Sequence, residues 1–178
     1  MEKRKLSVFD LDGTLISTPI ASPENKQIWA DYYGKPYPYL GWWGRDESMD
    51  TDVWEMPVVT EVYNDYQKEV DNPETLIVLL TGRLKKQENI VKNIVNERGY
   101  YFDYYLFNTG GGTLNNKINH LNSLLSKYPD IREVELWDDR HPHFKDFESW
   151  GQKLKDLGRI DSFYLNRIKS DQWSDFVE

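Results

Sequence analysis

Lys5-Leu6-Ser7-Val8-Phe9-Asp10-Leu11-Asp12-Gly13-Thr14 is the stretch on which the reading of the fold turns. Its first half reads as a β-strand, and the strand runs into acid at Asp10. Seventy residues on, Thr75-Leu76-Ile77-Val78-Leu79-Leu80 follows Asn72-Pro73 as an unbroken apolar run. Such a run is the mark of a central strand covered on both faces. Tyr104–Phe107, Val134–Trp137 and Ser162–Leu165 are three shorter strand candidates. Helical periodicity fills the gaps between them: Pro57 to Val70, Lys85 to Arg98 closed by Gly99, Asn115 to Lys127 closed by Tyr128-Pro129, and His143 to Leu157 closed by Gly158. Strands alternating with helices predict an α/β fold, a three-layer sandwich around a mostly parallel sheet.

The stretch Pro19 to Met56 breaks this rhythm. It holds Pro19, Pro23, Gly34, Pro36 and Pro38, then Gly41-Trp42-Trp43-Gly44-Arg45. It reads as a lid inserted over one end of the sheet (residues 19–57), with one short helix from Glu24 to Tyr33. The 178 residues otherwise fit a single domain. The tail from Lys169 is polar except for Trp173, Phe176 and Val177, and is expected to dock weakly or fray.

Composition narrows the function. With 22 basic against 30 acidic side chains the net charge is −8, which disfavours broad, non-specific nucleic-acid binding but leaves room for one local phosphate pocket. Zero cysteines exclude disulfides, a thiolate nucleophile and a Cys-ligated zinc, and fit the cytoplasm, the expected compartment. No apolar run approaches the ~18 residues of a membrane-spanning helix, so no membrane partner is expected. Seven Trp, 12 Tyr and seven Phe make 15% of the chain, so aromatics either build the core or serve as stacking surfaces.

Ligands of open α/β sheets bind beyond the carboxyl ends of the strands. The first strand ends at Asp10-Leu11-Asp12-Gly13-Thr14, the second at Thr81-Gly82-Arg83 and the fourth at Asp138-Asp139-Arg140. Four carboxylates would meet at one rim, and strand alternation lets Asp10 and Asp12 share a side with Leu11 anchored between them. So many like charges cannot all ionise without a cation. A hard, oxygen-ligated divalent ion, magnesium, suits Asp10, Asp12, Asp138 and Asp139. With metal and phosphate present, one aspartate can attack phosphorus while a neighbour handles the leaving-group proton. Taken alone, each segment is equally readable as a strand-ending turn or a helix cap. The two together, with Thr81 and Lys117 in order, favour chemistry.

At these residues the chain resembles the haloacid dehalogenase (HAD) superfamily of phosphotransferases. Val8-Phe9-Asp10-Leu11-Asp12-Gly13-Thr14-Leu15 matches its DxDGT strand end, Leu79-Leu80-Thr81 its second motif and Trp137-Asp138-Asp139 its fourth. The resemblance implies a HAD-like Rossmannoid fold, a nucleophilic Asp10 that becomes an aspartyl-phosphate, Asp12 as acid and base, and Thr81 holding phosphate. The family's third motif is a single basic residue, here Lys117 or Arg83. More finely, Thr81-Gly82-Arg83 and Asp138-Asp139-Arg140 look like segments of polynucleotide kinase 3′-phosphatase domains. Gly41-Trp42-Trp43-Gly44-Arg45-Asp46-Glu47-Ser48 and Trp137-Asp138-Asp139-Arg140-His141-Pro142-His143 look like those of Swiss Army Knife RNA-repair-like HAD domains. That likeness implies RNA or DNA ends as substrate. Protein partners have no sequence signal.

The remaining candidates keep two readings each. Trp42 and Trp43 either stack on a base or pin the lid to the sheet. Arg45 either grips phosphate or pairs with Asp46 or Glu47. Arg83, expected at a helix N-terminus, is assigned to phosphate with Gly82. Arg140 either binds substrate or pairs with the neighbouring aspartates, and His143 either orients a ligand or is structural. The function expected is magnesium-dependent hydrolysis of a phosphomonoester, at a nucleic-acid 3′ end. A metabolite or nucleotide phosphatase and a silent HAD-like binding protein are the alternatives.

Overall fold

A computed structural model describes residues 2–173. Five strands form one sheet: β1 (Lys5–Phe9), β2 (Thr75–Leu84), β3 (Tyr104–Asn108), β4 (Glu133–Asp138) and β5 (Ser162–Arg167). Their order is β3-β2-β1-β4-β5, and every pairing is parallel, with Phe9 level with Leu79 on one side and Trp137 on the other. The helices are α1 (Pro23–Tyr33), α2 (Thr60–Val70), α3 (Glu88–Glu97), α4 (Thr113–Lys127) and α5 (Phe144–Asp156). All five expected strands and the expected helices are present. β2 is longer than its apolar run, carrying Thr81, Gly82 and Arg83 inside the strand.

Strand alternation builds two cores. Leu6 and Val8 of β1 join Leu76, Val78 and Leu80 of β2 and Val134 and Leu136 of β4 beneath Leu121, Leu124 and Leu125 of α4 and Phe147 of α5. Phe9, Ile77, Leu79 and Trp137 face the other way, toward Val62 and Tyr66 of α2 and Val91, Ile94 and Val95 of α3. Phe9 and Trp137 stack with ring centres 4.2 Å apart, fastening β1 to β4. Burial of these faces is the dominant stabilising contribution.

The insertion leaves and re-enters the domain at one point, because Ser17 N–H donates to Pro57 C=O and Val59 N–H to Leu15 C=O. It carries an aromatic core of its own. Trp29 packs on Tyr33 and Tyr37, Tyr37 on Trp42, and Trp42 on Trp54. The sheet order reverses direction between β1 and β4, the place where doubly wound folds open a crevice. That crevice holds the ends of the strands carrying Asp10, Asp138 and Asp139.

Candidate active site

Asp10 follows the last residue of β1 and stays tied to the sheet, its N–H donating to Trp137 C=O. Leu11 is fully buried, while Asp10 and Asp12 both line a pocket of about 200 Å³ at the rim, as strand alternation suggests. The turn beyond closes tightly, with Leu15 N–H donating to Leu11 C=O. Gly13 takes φ +73°, and a Cβ there would run into the Asp139 carboxylate. Only glycine tolerates both the backbone angle and that closeness.

Three carboxylates, of Asp10, Asp138 and Asp139, bring oxygens within 4.8 Å of one another, all buried. Lys117, on the second turn of α4, reaches in from the opposite side. Its Nζ is 2.9 Å from Asp10 Oδ1 and 2.9 Å from Asp138 Oδ2. Burial opposes its charge, but the two aspartates outweigh burial and hold the Lys117 pKa above its ordinary value. Asp10's second oxygen accepts from Thr14 Oγ1 at 3.1 Å. Asp139 accepts from Ser170 Oγ.

The charge density leaves its mark on proton affinity. Burial, then Asp138, push the Asp10 pKa up to about 6 even with Lys117 pulling it down. Burial and then Asp10 push Asp139 up to about 9. A proton or a cation is therefore needed to hold the trio together. An all-oxygen, buried donor set of this kind fits a hard divalent ion.

Asp12 stands apart from the trio. Its carboxylate takes a forked bond from Arg83, Nε at 3.1 and 3.0 Å from the two oxygens and Nη2 at 2.7 Å, and a fourth from Thr18 Oγ1 at 2.7 Å. Arg83 is buried inside β2, not at a helix N-terminus, and its Nη1 donates to Trp43 C=O and Ser48 Oγ. Most of the Arg83 donors that the sequence reading assigned to phosphate are turned to Asp12 and the insertion, while its side chain still lines the pocket. Asp12, counted by the sequence reading as one of four metal-ligand candidates, has its carboxylate outside the metal-capable trio of the other three. Of the two basic candidates for the third motif, Lys117 is the one that reaches Asp10. Thr81 is buried, its Oγ1 accepting from Arg83 N–H at 3.1 Å. Gly82 lets Thr113 come close, since a Cβ would fall 2.6 Å from Thr113 Cγ2.

The tryptophan pair divides. Trp42 is buried, with its Nε1 donating to Pro19 C=O at 2.8 Å, so it pins the insertion and is no stacking surface. Trp43 is exposed and lines the pocket, with the Arg83 guanidinium 5.4 Å from its ring centre. Arg45 lies over Tyr39 at 3.8 Å and is not part of the pocket wall. His143 is buried, with no partner for Nδ1 among the described residues, and burial followed by the charges of Arg140 and Lys117 lowers its pKa to about 4. A neutral imidazole packed on Phe147 fits its structural reading.

Of the two readings kept for Arg140, pairing with the neighbouring aspartates is not what the structure shows. Its backbone N–H donates to Asp138, but among the described residues its guanidinium pairs with no carboxylate and lies instead 4.7 Å from the Trp173 ring centre. Trp173 and Gln172 line the pocket. Gln172 Nε2 donates to Thr18 Oγ1 at 2.9 Å, next to Asp12. The segment 170–173 is therefore docked into the site, contrary to the weak docking expected of the tail. Phe176 and Val177 lie outside the described residues. Sequence reasoning missed Thr18, Ser170, Gln172 and Trp173. The rule that selected the other strand ends finds the last three once applied to β5.

Residues 38–172 match the family described as HAD domain family 1 in Swiss Army Knife RNA repair proteins. The chain belongs to this family. The matched span begins after Asp10 and Asp12 and contains Trp43, Arg83, Lys117, Asp138, Asp139 and Arg140. Among solved structures, this HAD domain is similar to that of the effector protein Lem4 from Legionella pneumophila. An inactive mutant superposes with a TM-score of 0.56 at 14% identity, over 97% of this chain and 89% of that one. A second Lem4 structure gives 0.54 at 14%, over 97% and 90%. At that identity the likeness establishes a shared fold. Among the described residues, no helix is long and apolar enough to cross a membrane.

Proposed function

We propose that this HAD domain is a magnesium-dependent phosphomonoesterase that removes phosphate from nucleic-acid 3′ ends. The observation that carries the reading is Asp10 itself, a pocket-lining carboxylate with one oxygen on Lys117 and the other on Thr14, two residues from Asp12. Its orientation is held before any substrate arrives, which is the preorganisation that in-line phosphoryl transfer requires.

In the proposed reaction an Asp10 oxygen attacks phosphorus and the bond from phosphorus to the ester oxygen breaks. Asp12, once its carboxyl turns out of the Arg83 fork and takes up a proton, gives that proton to the departing alkoxide, leaving an aspartyl-phosphate. In the second half Asp12 takes a proton from water, the water oxygen bonds to phosphorus, and Asp10 is released with inorganic phosphate. Lys117 holds the Asp10 carboxylate in position throughout. Asp10, Asp138 and Asp139 would hold the divalent cation, which when bound supplies positive charge for the phosphoryl oxygens.

The nucleic-acid part of the reading rests on family membership and on the exposed indole of Trp43 in the pocket wall. A pocket of about 200 Å³ takes a terminal phosphate and what directly adjoins it, and not a duplex. That size, with the net charge of −8, also favours a small phosphomonoester as a second reading. The test is phosphate release, with and without magnesium, from 3′-phosphorylated RNA and DNA oligonucleotides and from a generic ester, with Asp10→Asn as blank. Release from an oligonucleotide supports the first reading, release from the generic ester alone the second. Silence on every ester overturns the enzyme reading in favour of a binding protein.

A further inference from the structure

The pocket has a second aromatic wall. Trp173 comes from the segment after β5 and sits against Arg140 at 4.7 Å and edge-on to His141 at 6.3 Å. Trp43 comes from the insertion and sits over Arg83. Arg83 belongs to β2 and Arg140 follows β4, the two neighbours of β1, so each indole packs on an arginine from a different side of the strand that leads to Asp10. Both line the same pocket.

Segment 170–173 is held there by polar contacts to catalytic candidates on both flanks. Ser170 Oγ donates to Asp139 and Gln172 Nε2 to Thr18, which in turn donates to Asp12. A planar group entering beside the phosphate would meet π-surface from the insertion and from this segment. The Arg140 guanidinium, without a carboxylate partner among the described residues, would stand beside its phosphate. A guanidinium stacked on an indole keeps its edge donors available for a phosphate oxygen.

We propose that Trp173 and Arg140 are specificity-determining residues, forming with Trp43 a slot for the nucleobase attached to the scissile phosphate. This deepens the reading above and rests on its phosphoester site, but not on the substrate being a polymer. The slot selects nucleoside phosphates over aliphatic phosphates of the same charge.

The experiment is calorimetric binding of a nucleoside 3′-phosphate and of glycerol phosphate, with magnesium, on an Asp10→Asn background in which neither is consumed. Trp173→Ala is expected to weaken nucleotide binding about tenfold relative to glycerol phosphate, within the range of base–aromatic stacking. Trp173→Phe should restore most of the preference, which a merely structural role of the indole would not explain. An equal preference in Trp173→Ala and its parent overturns the proposal, as does a parent with no preference for the nucleotide. Oligonucleotide turnover by the unmutated protein is scored separately. If it is absent while the nucleotide preference persists and depends on Trp173, the polynucleotide reading fails and the slot stands.

Discussion

Arg83 grips both oxygens of Asp12 with Nε and Nη2 while its Nη1 holds Trp43 C=O and Ser48 Oγ, so one guanidinium fastens the insertion to the DxDGT turn. The Arg83 side chain is 1% exposed and that of Asp12 is 15%. A bidentate fork with two further acceptors is a geometry that arginine alone supplies.

Removing that fork should loosen the lid. Arg83→Met is expected to cost about 3–5 kcal/mol of stability, the range for stranding one partner of a buried ion pair. Arg83→Lys should recover only part of it. Chemical denaturation measures the loss, and limited proteolysis should show faster cleavage within residues 19–57. Unchanged stability and cleavage in Arg83→Met would remove Arg83 from this role.

Lys117 neutralises two buried carboxylates at 2.9 Å each. Lys117→Met leaves Asp10 and Asp138 facing one another and should raise the Asp10 pKa further, since Lys117 is what pulls it down. The expected outcome is loss of stability by several kcal/mol and a fall of phosphate release by roughly 10²-fold or more. Denaturation and initial-rate measurements on one preparation test both halves.

The proton held by Asp139 gives a pH dependence with a definite sign. Its folded pKa is pushed up to about 9, while the unfolded value is about 3.9. Between those values the unfolded chain has released this proton and the folded one has not, so this group's contribution to stability falls as pH rises. In cation-free buffer the melting temperature should drop more from about pH 5 to about pH 8 in the unmutated protein than in Asp139→Asn. Magnesium should restore it in the former and have little effect in the latter. Equal slopes in both proteins would contradict the assignment.

The adjacent tryptophans should behave oppositely. Trp42 is buried among Tyr37, Trp54 and the Pro19 carbonyl, so Trp42→Ala is expected to cost about 3–5 kcal/mol. Trp43, 37% exposed, should lose far less stability on truncation and show its effect in substrate KM. Thermal melts beside steady-state kinetics separate the two.

The sheet was legible because β1 and β2 carry their burial pattern in consecutive residues: Leu6 and Val8 face one core, Phe9 the other. The three clustered carboxylates were legible for a related reason, since parallel strands deliver their carboxyl ends to one rim. What local sequence could not tell is which charge meets which. Arg83 and Arg140 each come just after a strand's apolar residues, yet one is sealed against Asp12 and the other is left to Trp173. That choice depends on where the insertion and the segment after β5 return, a long-range matter. Trp42 and Trp43 are indistinguishable by neighbours, and only the packing of α1 against the loop decides which indole is enclosed.

The central claim is that Asp10 is the nucleophile. Its most direct test is to mix the protein with a phosphomonoester and magnesium, quench in acid at early times, and locate any added phosphoryl group by mass spectrometry of peptides. The account predicts a phosphoryl group on the peptide carrying Asp10, absent in Asp10→Asn, and formed but slow to clear when Asp12→Asn removes the base. Turnover of the ester by the unmutated protein with no phosphopeptide accumulating in Asp12→Asn, or turnover persisting in Asp10→Asn, would contradict it.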